Sequence, residues 1–184
     1  MRGLWIAVWA GLAGMAAADP YCKPSATELA ALPGLLAGDW QGEIVQGVAV
    51  QGGRPSLLPS GGAPSLATLT VAGQSIRFAD AATPAPVLLT AASGAVDFAL
   101  PGESQLGVEE LLGPLLQEAG CAAGDLPQFE GAAAMAAGMA VRFRAYLLAA
   151  DQMLMVMQVG QFGPMAKPSG TGVRVVLRYG RQAE

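Results

Sequence analysis

The sequence predicts a mainly β protein, an antiparallel up-and-down barrel of eight or nine strands with a short N-terminal helix and one mid-chain helix. Short segments alternate apolar and polar residues with a period of two, the pattern of strands that bury one face. Glycine-rich turns separate these segments, and one amphipathic helix interrupts them. Closing the sheet removes its unpaired edges, so a barrel is favoured over the alternative, a β-sandwich.

The first eighteen residues are predicted to be a secretory signal peptide. Arg2 gives a charged start, residues 4–15 form an uncharged apolar run, and residues 16–18 are the small side chains that signal peptidase recognises. The run is too short to span a bilayer comfortably. We therefore expect cleavage after Ala18, a periplasmic or secreted location, and no transmembrane segment in the mature chain.

Helical signals divide the remaining chain. Residues 19–37 are expected to form an N-terminal segment with the short helix, since Ser25 and Glu28 have the spacing of a capping box. Residues 38–184 are expected to form a single barrel domain with a helix at about 105–119, where leucines recur at helical spacing. Pro33-Gly34 should break the last turn of the first helix, and Gly113-Pro114 should kink the second helix or split it in two.

The predicted strands lie on both sides of the mid-chain helix. They are placed at residues 39–50, 66–71, 75–79, 87–90, 95–100, 128–135, 139–147, 153–161 and 171–179. A long Gly- and Pro-rich loop is expected at 51–65.

Composition argues against several classes of function. Ten basic residues face fourteen acidic ones, whereas nucleic-acid binding needs a dense basic surface. The chain has no histidine, the commonest general base and metal ligand. Motifs of hydrolases and metalloproteases are also absent from the sequence. We therefore expect a non-enzymatic protein with no cofactor, no metal and no nucleic-acid partner.

The two cysteines, Cys22 and Cys121, are predicted to form a disulfide, because an even pair in an oxidising compartment is usually oxidised.

The segment Gly38-Asp39-Trp40 follows the short helix at the start of the first strand. This G-x-W resembles the opening of lipocalins and their bacterial relatives in the calycin group. In that family the Trp closes one end of the barrel, and an Arg of the last strand packs over its ring. The resemblance implies a lipocalin-like barrel in which Arg178, or else Arg174, caps Trp40.

Small barrels can hold one apolar ligand inside. The sequence therefore predicts an exported binding protein for a small apolar or amphipathic molecule, with a filled core as the competing interpretation. The candidate lining residues are the inward-facing apolar side chains Trp40, Met139, Val141, Phe143, Leu147, Met153, Met155, Met157, Val175 and Leu177. A copper site on the three methionines of residues 153–157 is a further hypothesis, since thioethers select Cu(I).

Protein binding is the alternative function. Secreted bacterial metalloprotease inhibitors open with an L-x-G-x-W segment similar to residues 36–40, and an envelope protein with a filled core is equally open. The basic residues of the last third suggest a basic face that could meet an anionic lipid headgroup, an acidic partner or the membrane surface. They are Arg142, Arg144, Lys167, Arg174, Arg178 and Arg181.

Overall fold

The computed structural model describes residues 21–81, 83, 85–117, 120–162 and 170–182. The predicted signal peptide lies outside these residues, as does Lys167 of the expected basic face. Within the described chain, no helix combines the length and the apolar character needed to cross a bilayer.

Two α-helices and nine strands organise the described residues. The helices are α1 (Ala26–Leu36) and α2 (Val108–Leu116), and the strands are β1 (Gly38–Gln51), β2 (Arg54–Leu57), β3 (Ser65–Ala72), β4 (Ser75–Asp80), β5 (Val87–Ala92), β6 (Gln128–Ala134), β7 (Ala140–Ala149), β8 (Gln152–Gly160) and β9 (Gly172–Arg181).

Strand pairing closes the sheet into a barrel. Each strand from β3 to β9 is antiparallel to the next, and β1 pairs with β3 on one side. On its other side β1 pairs with β9, from Trp40 opposite Arg181 to Val50 opposite Gly172. Strand β2 adds to β1 only, as a ninth strand beside the eight of the barrel. The lipocalin-like barrel is thereby confirmed over the sandwich.

Two hydrophobic cores lie on opposite faces of the same sheet. The inner core fills the barrel and centres on three rings, with Phe78 packed 5.4 Å from Phe143 and 6.0 Å from Tyr179 between ring centroids. The outer core lies against the outside of β7, β8 and β9. Leu111, Leu112 and Leu116 of α2 bury their side chains there.

Helix α1 packs against the inner core of the barrel through Leu32 and Leu36. The Ser25 hydroxyl accepts a hydrogen bond from the Glu28 amide, and the Glu28 carboxylate accepts one from the Ser25 amide. The predicted capping box is therefore present. Trp40 is fully buried, and its Nε1 donates to the Leu36 carbonyl at the end of α1, at 3.0 Å. Helix α1 is thereby attached to the first residues of β1.

The disulfide between Cys22 and Cys121 is confirmed. Beside it, the Lys23 amide donates to the Asp125 carbonyl at 2.7 Å. The chain before α1 is therefore fixed to the segment that follows α2.

The predicted break in the last turn of α1 and the predicted splitting of α2 are wrong. Helix α1 continues through Pro33 to Leu36, and α2 continues through Pro114 to Leu116. In each helix, buried leucines lie on both sides of the proline. Packing therefore holds the two halves in one helix despite the lost hydrogen bond.

Two further local predictions need correction. Residues 95–100 do not form a strand but belong to an irregular segment, residues 93–107, which we call the strap. Residues 51–65 are not all loop, because β2 forms within them and the Leu58 amide donates to the Gly47 carbonyl at 2.9 Å.

Candidate functional site

The candidate lining residues mostly point into the barrel, but there they pack against one another. Met157 is partly buried against the inner core, and Met139 lies in the turn before β7, outside that core. The others belong to the inner core: Trp40, Val141, Phe143, Leu147, Met153, Met155, Val175 and Leu177.

The cavity found inside the barrel has a volume of only about 30 Å³. Its wall includes Phe143, Met155 and Leu177, three of the candidate lining residues. Such a volume suits a water molecule, whereas sites for small organic ligands usually span roughly 300–1,000 Å³. The described interior therefore has the packing of a core.

Polar groups edge this small cavity. The Tyr179 hydroxyl donates to Asp80 Oδ2 at 2.8 Å, and the Ser65 hydroxyl donates to the same oxygen. Burial raises the pKa of Tyr179, and the adjacent Asp80 carboxylate raises it further, although the Ser65 hydrogen bond opposes them. Tyr179 is therefore a neutral hydrogen-bond donor at ordinary pH.

A larger recess lies outside the barrel, where the strap meets the outer face of β5 to β8. We call it the outer groove, and its volume is about 400 Å³. Its walls combine apolar, acidic and basic residues. They are formed by Leu88, Thr90, Val96, Asp97, Phe98, Glu130, Gly131, Ala132, Arg142, Phe143, Arg144 and Gln158.

The strap is held over the sheet by three barrel side chains that donate to its carbonyls. Arg144 of β7 donates to Gly94 O at 3.2 Å, and Gln158 of β8 donates to Ala99 O at 3.4 Å. Arg174 of β9 donates to Phe98 O at 2.8 Å. These bonds satisfy strap carbonyls that no neighbouring strand pairs, and they fix one wall of the groove.

Arg144, which lines the outer groove, forms hydrogen bonds through all three of its guanidinium nitrogens. Its guanidinium donates to Glu130 Oε2 at 2.6 Å and to Gln128 Oε1 at 2.6 and 3.2 Å, and its side chain is 4% exposed. Charge and hydrogen-bonding capacity are matched at this buried position.

Arg174 has an equally close acidic partner. Its Nη1 donates to Glu103 Oε2 of the strap at 2.6 Å. Burial raises the pKa of Glu103, but the hydrogen bond and charge of Arg174, together with the Leu100 amide, lower it more, so the net pKa lies below its ordinary value.

Arg142 is different, because it is exposed and stacked. Its guanidinium carbon lies 4.1 Å from the centroid of the Phe162 ring, within the range of cation–π contacts. It lines both the outer groove and an adjoining recess of about 270 Å³, which is also bounded by Asp97 and Phe162. Among the described residues, Arg142 has no carboxylate within salt-bridge distance.

The resemblance implied that Arg178, or else Arg174, caps Trp40, whereas the residue paired with Trp40 between β1 and β9 is Arg181. Trp40 and Tyr179 belong to the inner core, so the alternate residues Arg174 and Arg178 project from the other face of β9. Arg181 donates to the Leu35 and Ala37 carbonyls at the end of α1.

The basic face predicted for the last third is not a continuous surface. Arg144 and Arg174 are buried beneath the strap with glutamate partners, and Arg181 binds the end of α1. Arg178 stands opposite Glu43 in the β1–β9 pairing. The sequence shows that Arg144, Arg174 and Arg178 alternate with apolar residues along their strands. It does not show that the strap, which is remote along the chain, covers Arg144 and Arg174.

Other parts of the described surface suit an amphipathic ligand less well. A recess of about 490 Å³ between β1 and β9 is lined mostly by polar residues and glycines. Another of about 540 Å³ runs along the polar side of α2. No group of three or more His, Cys, Asp or Glu that could hold a metal ion occurs in the described chain. Met153 and Met155 of the copper hypothesis are buried among apolar side chains.

Comparisons with protein-family models, with curated proteins and with solved structures found no match to this chain.

Proposed function

We propose that this chain is an exported, non-enzymatic binding protein that holds a small amphipathic molecule in the outer groove. The observation that carries the proposal is the contrast between the two faces of the sheet. The cavity inside the barrel has about 30 Å³, whereas the groove outside it has about 400 Å³. The groove falls within the size range of small-molecule sites.

The chemistry of the groove supports an amphipathic ligand. Leu88 and Val96 offer apolar contact, while Arg142 and Asp97 offer charged contact within the same recess. A ligand inside the barrel, as expected from the sequence, would have to displace inner-core side chains. Each large side chain lost from a core costs roughly 2–5 kcal/mol of stability.

The exported location and the non-catalytic role belong to the same proposal. The signal-like residues 1–18 and the disulfide support an oxidising compartment outside the cytoplasm. The lack of histidine supports binding without catalysis, because the commonest general base is missing.

Binding of an envelope protein, or inhibition of a protease, is the second candidate function. The filled inner core and exposed apolar side chains such as Leu66 and Leu88 favour it. However, these two leucines lie on different strands of the outer face, β3 and β5, and are not neighbours in the pairing. An inhibitory N-terminal arm is also restricted, because the disulfide holds Cys22 at the barrel.

Native mass spectrometry tests the proposed function. The full chain is exported to a bacterial periplasm, purified, and measured before and after denaturation. We expect a small amphipathic molecule that leaves on unfolding, or uptake of an added amphiphile. A chain that carries no such molecule and takes up none would contradict the proposal.

A matched pair of variants locates the site. Ala132 is an exposed groove residue on β6, and Ala134 is an exposed residue on the same strand that does not line the groove. We expect Ala132→Trp to lose the ligand by filling the groove and Ala134→Trp to keep it. Equal binding by the two folded variants would place the ligand elsewhere.

A further inference from the structure

The geometry points to a singly charged anion, a carboxylate at the head of an apolar chain, as the ligand of the outer groove, with Arg142 as the residue that binds its charge. This inference rests on the proposed function, because it specifies the chemistry of the same site. It begins from a difference among the outward-facing arginines of β7 and β9.

Each buried arginine of this face has its own acid. Arg144 is paired with Glu130 and Arg174 with Glu103, both at 2.6 Å. Arg142 stands between Ala132 on β6 and Gln158 on β8, so neither cross-strand neighbour supplies a carboxylate. Among the described residues that line the groove, Arg142 is the arginine without a carboxylate at salt-bridge distance.

Arg142 is nevertheless held in position. The Phe162 ring supports the face of its guanidinium at 4.1 Å. Stacking of this kind occupies the face of the group and leaves its N–H donors, which lie in the plane, available for a ligand. A planar guanidinium binds a carboxylate through two parallel hydrogen bonds.

The surrounding acids limit the charge of the ligand. Asp97 and Glu130 line the same groove, and Glu130 already accepts a hydrogen bond from Arg144. With Arg142 and Arg144 the four side chains are formally neutral. One negative charge can therefore bind at Arg142, whereas a dianion would meet stronger repulsion from the two carboxylates.

Apolar groups line both recesses that Arg142 borders. Leu88, which is 51% exposed, and Val96 line the outer groove, and Pro101 lines the adjoining recess. An alkyl chain attached to the carboxylate would cover these surfaces. Burying them would add affinity of about 25 cal/mol for each Å² of apolar surface removed from water.

Four probes with the same alkyl chain and different head groups test the inference by calorimetry: decanoate, decanol, decyl phosphate and decyltrimethylammonium, each below its micelle concentration. We expect decanoate to bind about tenfold or more tighter than decanol, since a charge-assisted pair is added. We also expect decanoate to bind more tightly than the phosphate and the cation.

Three variants separate the role of Arg142 from general charge. Arg142→Ala should abolish the preference for decanoate over decanol, and Arg142→Lys should restore part of it, because lysine keeps the charge but not the fork of donors. Arg54→Ala removes the same charge from the exposed strand β2 and should leave the preference unchanged.

The outcomes distinguish the two proposals. Equal affinity for decanoate and decanol, an unchanged preference in Arg142→Ala, or tighter binding of the phosphate would overturn the assignment of a monoanion while the groove remained a binding site. Failure of all four probes to bind the folded chain would overturn both proposals.

Discussion

At the scale of single residues, Gly38 explains why the G-x-W segment begins with glycine. Its φ is +138°, a conformation that other residues rarely adopt, and a Cβ there would lie 3.1 Å from Nη2 of Arg181. The small residue therefore allows the Arg181 guanidinium to reach the carbonyls at the end of α1. These carbonyls have no partner within the helix.

Two glycines four residues apart give a test of this interpretation. Gly38→Ala should destabilise the protein by about 1–3 kcal/mol through backbone strain. Gly34→Ala, in open space inside α1, should stabilise it by up to about 1 kcal/mol through helix propensity. Urea unfolding measures both, and effects of equal sign would contradict the assigned role of Gly38.

Glu103 leads to a pH-dependent prediction. Its net pKa in the folded protein lies below the ordinary value of 4.5. A carboxyl with a depressed folded pKa contributes stability above its unfolded pKa and loses that contribution as the pH falls through the folded value. We expect the free energy of unfolding to fall below about pH 4.5, and to fall less steeply in Glu103→Gln. Parallel pH profiles for the two proteins would contradict this.

The resemblance did not indicate which arginine pairs with Trp40 between β1 and β9. The resemblance pointed to Arg178 or Arg174, and the pairing of β1 with β9 brings Arg181 opposite Trp40. A shift in the β1–β9 register between Ile44 and Gln46 contributes to this outcome. Such a bulge depends on tertiary pairing, so the local pattern did not reveal it.

At the scale of elements, the strap shows how an extended segment can imitate a strand. Val96, Phe98 and Leu100 alternate with less apolar residues, which is why residues 95–100 predict a strand. The alternation is real, since Phe98 and Leu100 are buried. However, barrel side chains bind the strap carbonyls in place of a neighbouring strand, and no sequence period records that.

The strap should depend strongly on Arg174. Arg174→Ala leaves Glu103 and the Phe98 carbonyl without their donor, and we expect a loss of about 3 kcal/mol, the lower end for a broken buried pair because Glu103 is partly exposed. Urea unfolding measures the loss, and hydrogen exchange should increase in the strap. Arg54→Ala serves as the control, with a change within about 0.5 kcal/mol. A loss no larger than that control would show that the strap is held otherwise.

The disulfide makes a separate contribution, because it joins the chain before α1 to the chain after α2 across 99 residues. The double variant Cys22→Ser, Cys121→Ser should be destabilised by up to about 4–5 kcal/mol in the chain-entropy model. Thermal unfolding of the variant and of the wild type, with and without reductant, measures the effect. A reductant-dependent loss in the variant as large as in the wild type would contradict this origin.

At the scale of the whole molecule, the barrel was accessible from the sequence because most strands show a period of two. One exception is β8, whose residues 153–157 are apolar on both faces. The structure supplies the reason, since Met153 and Met155 face the inner core while Leu154 and Val156 face the outer core. A strand covered on both sides needs no polar face.

The outer groove was not accessible in the same way. Its walls come from β5 to β8 and from the strap, and they meet only in the folded chain. The sequence placed the candidate ligand site inside the barrel because the apolar alternation of Val141, Phe143 and Met155 is the same for a hollow interior and a filled one. Packing volume decides between the two, and a one-dimensional pattern does not contain it.

NMR of the chain carrying labelled methionine methyl groups and labelled backbone amides, titrated with decanoate, tests the central claim most directly. Met153 and Met155 report on the inner core, where they are 2% and 0% exposed, and the Ala132 and Arg142 amides report on the outer groove. We expect the two amides to shift with saturation while the two methyl signals stay unchanged. Shifts of the methionine methyls without shifts of these amides would place the ligand inside the barrel and contradict a site on its outer face.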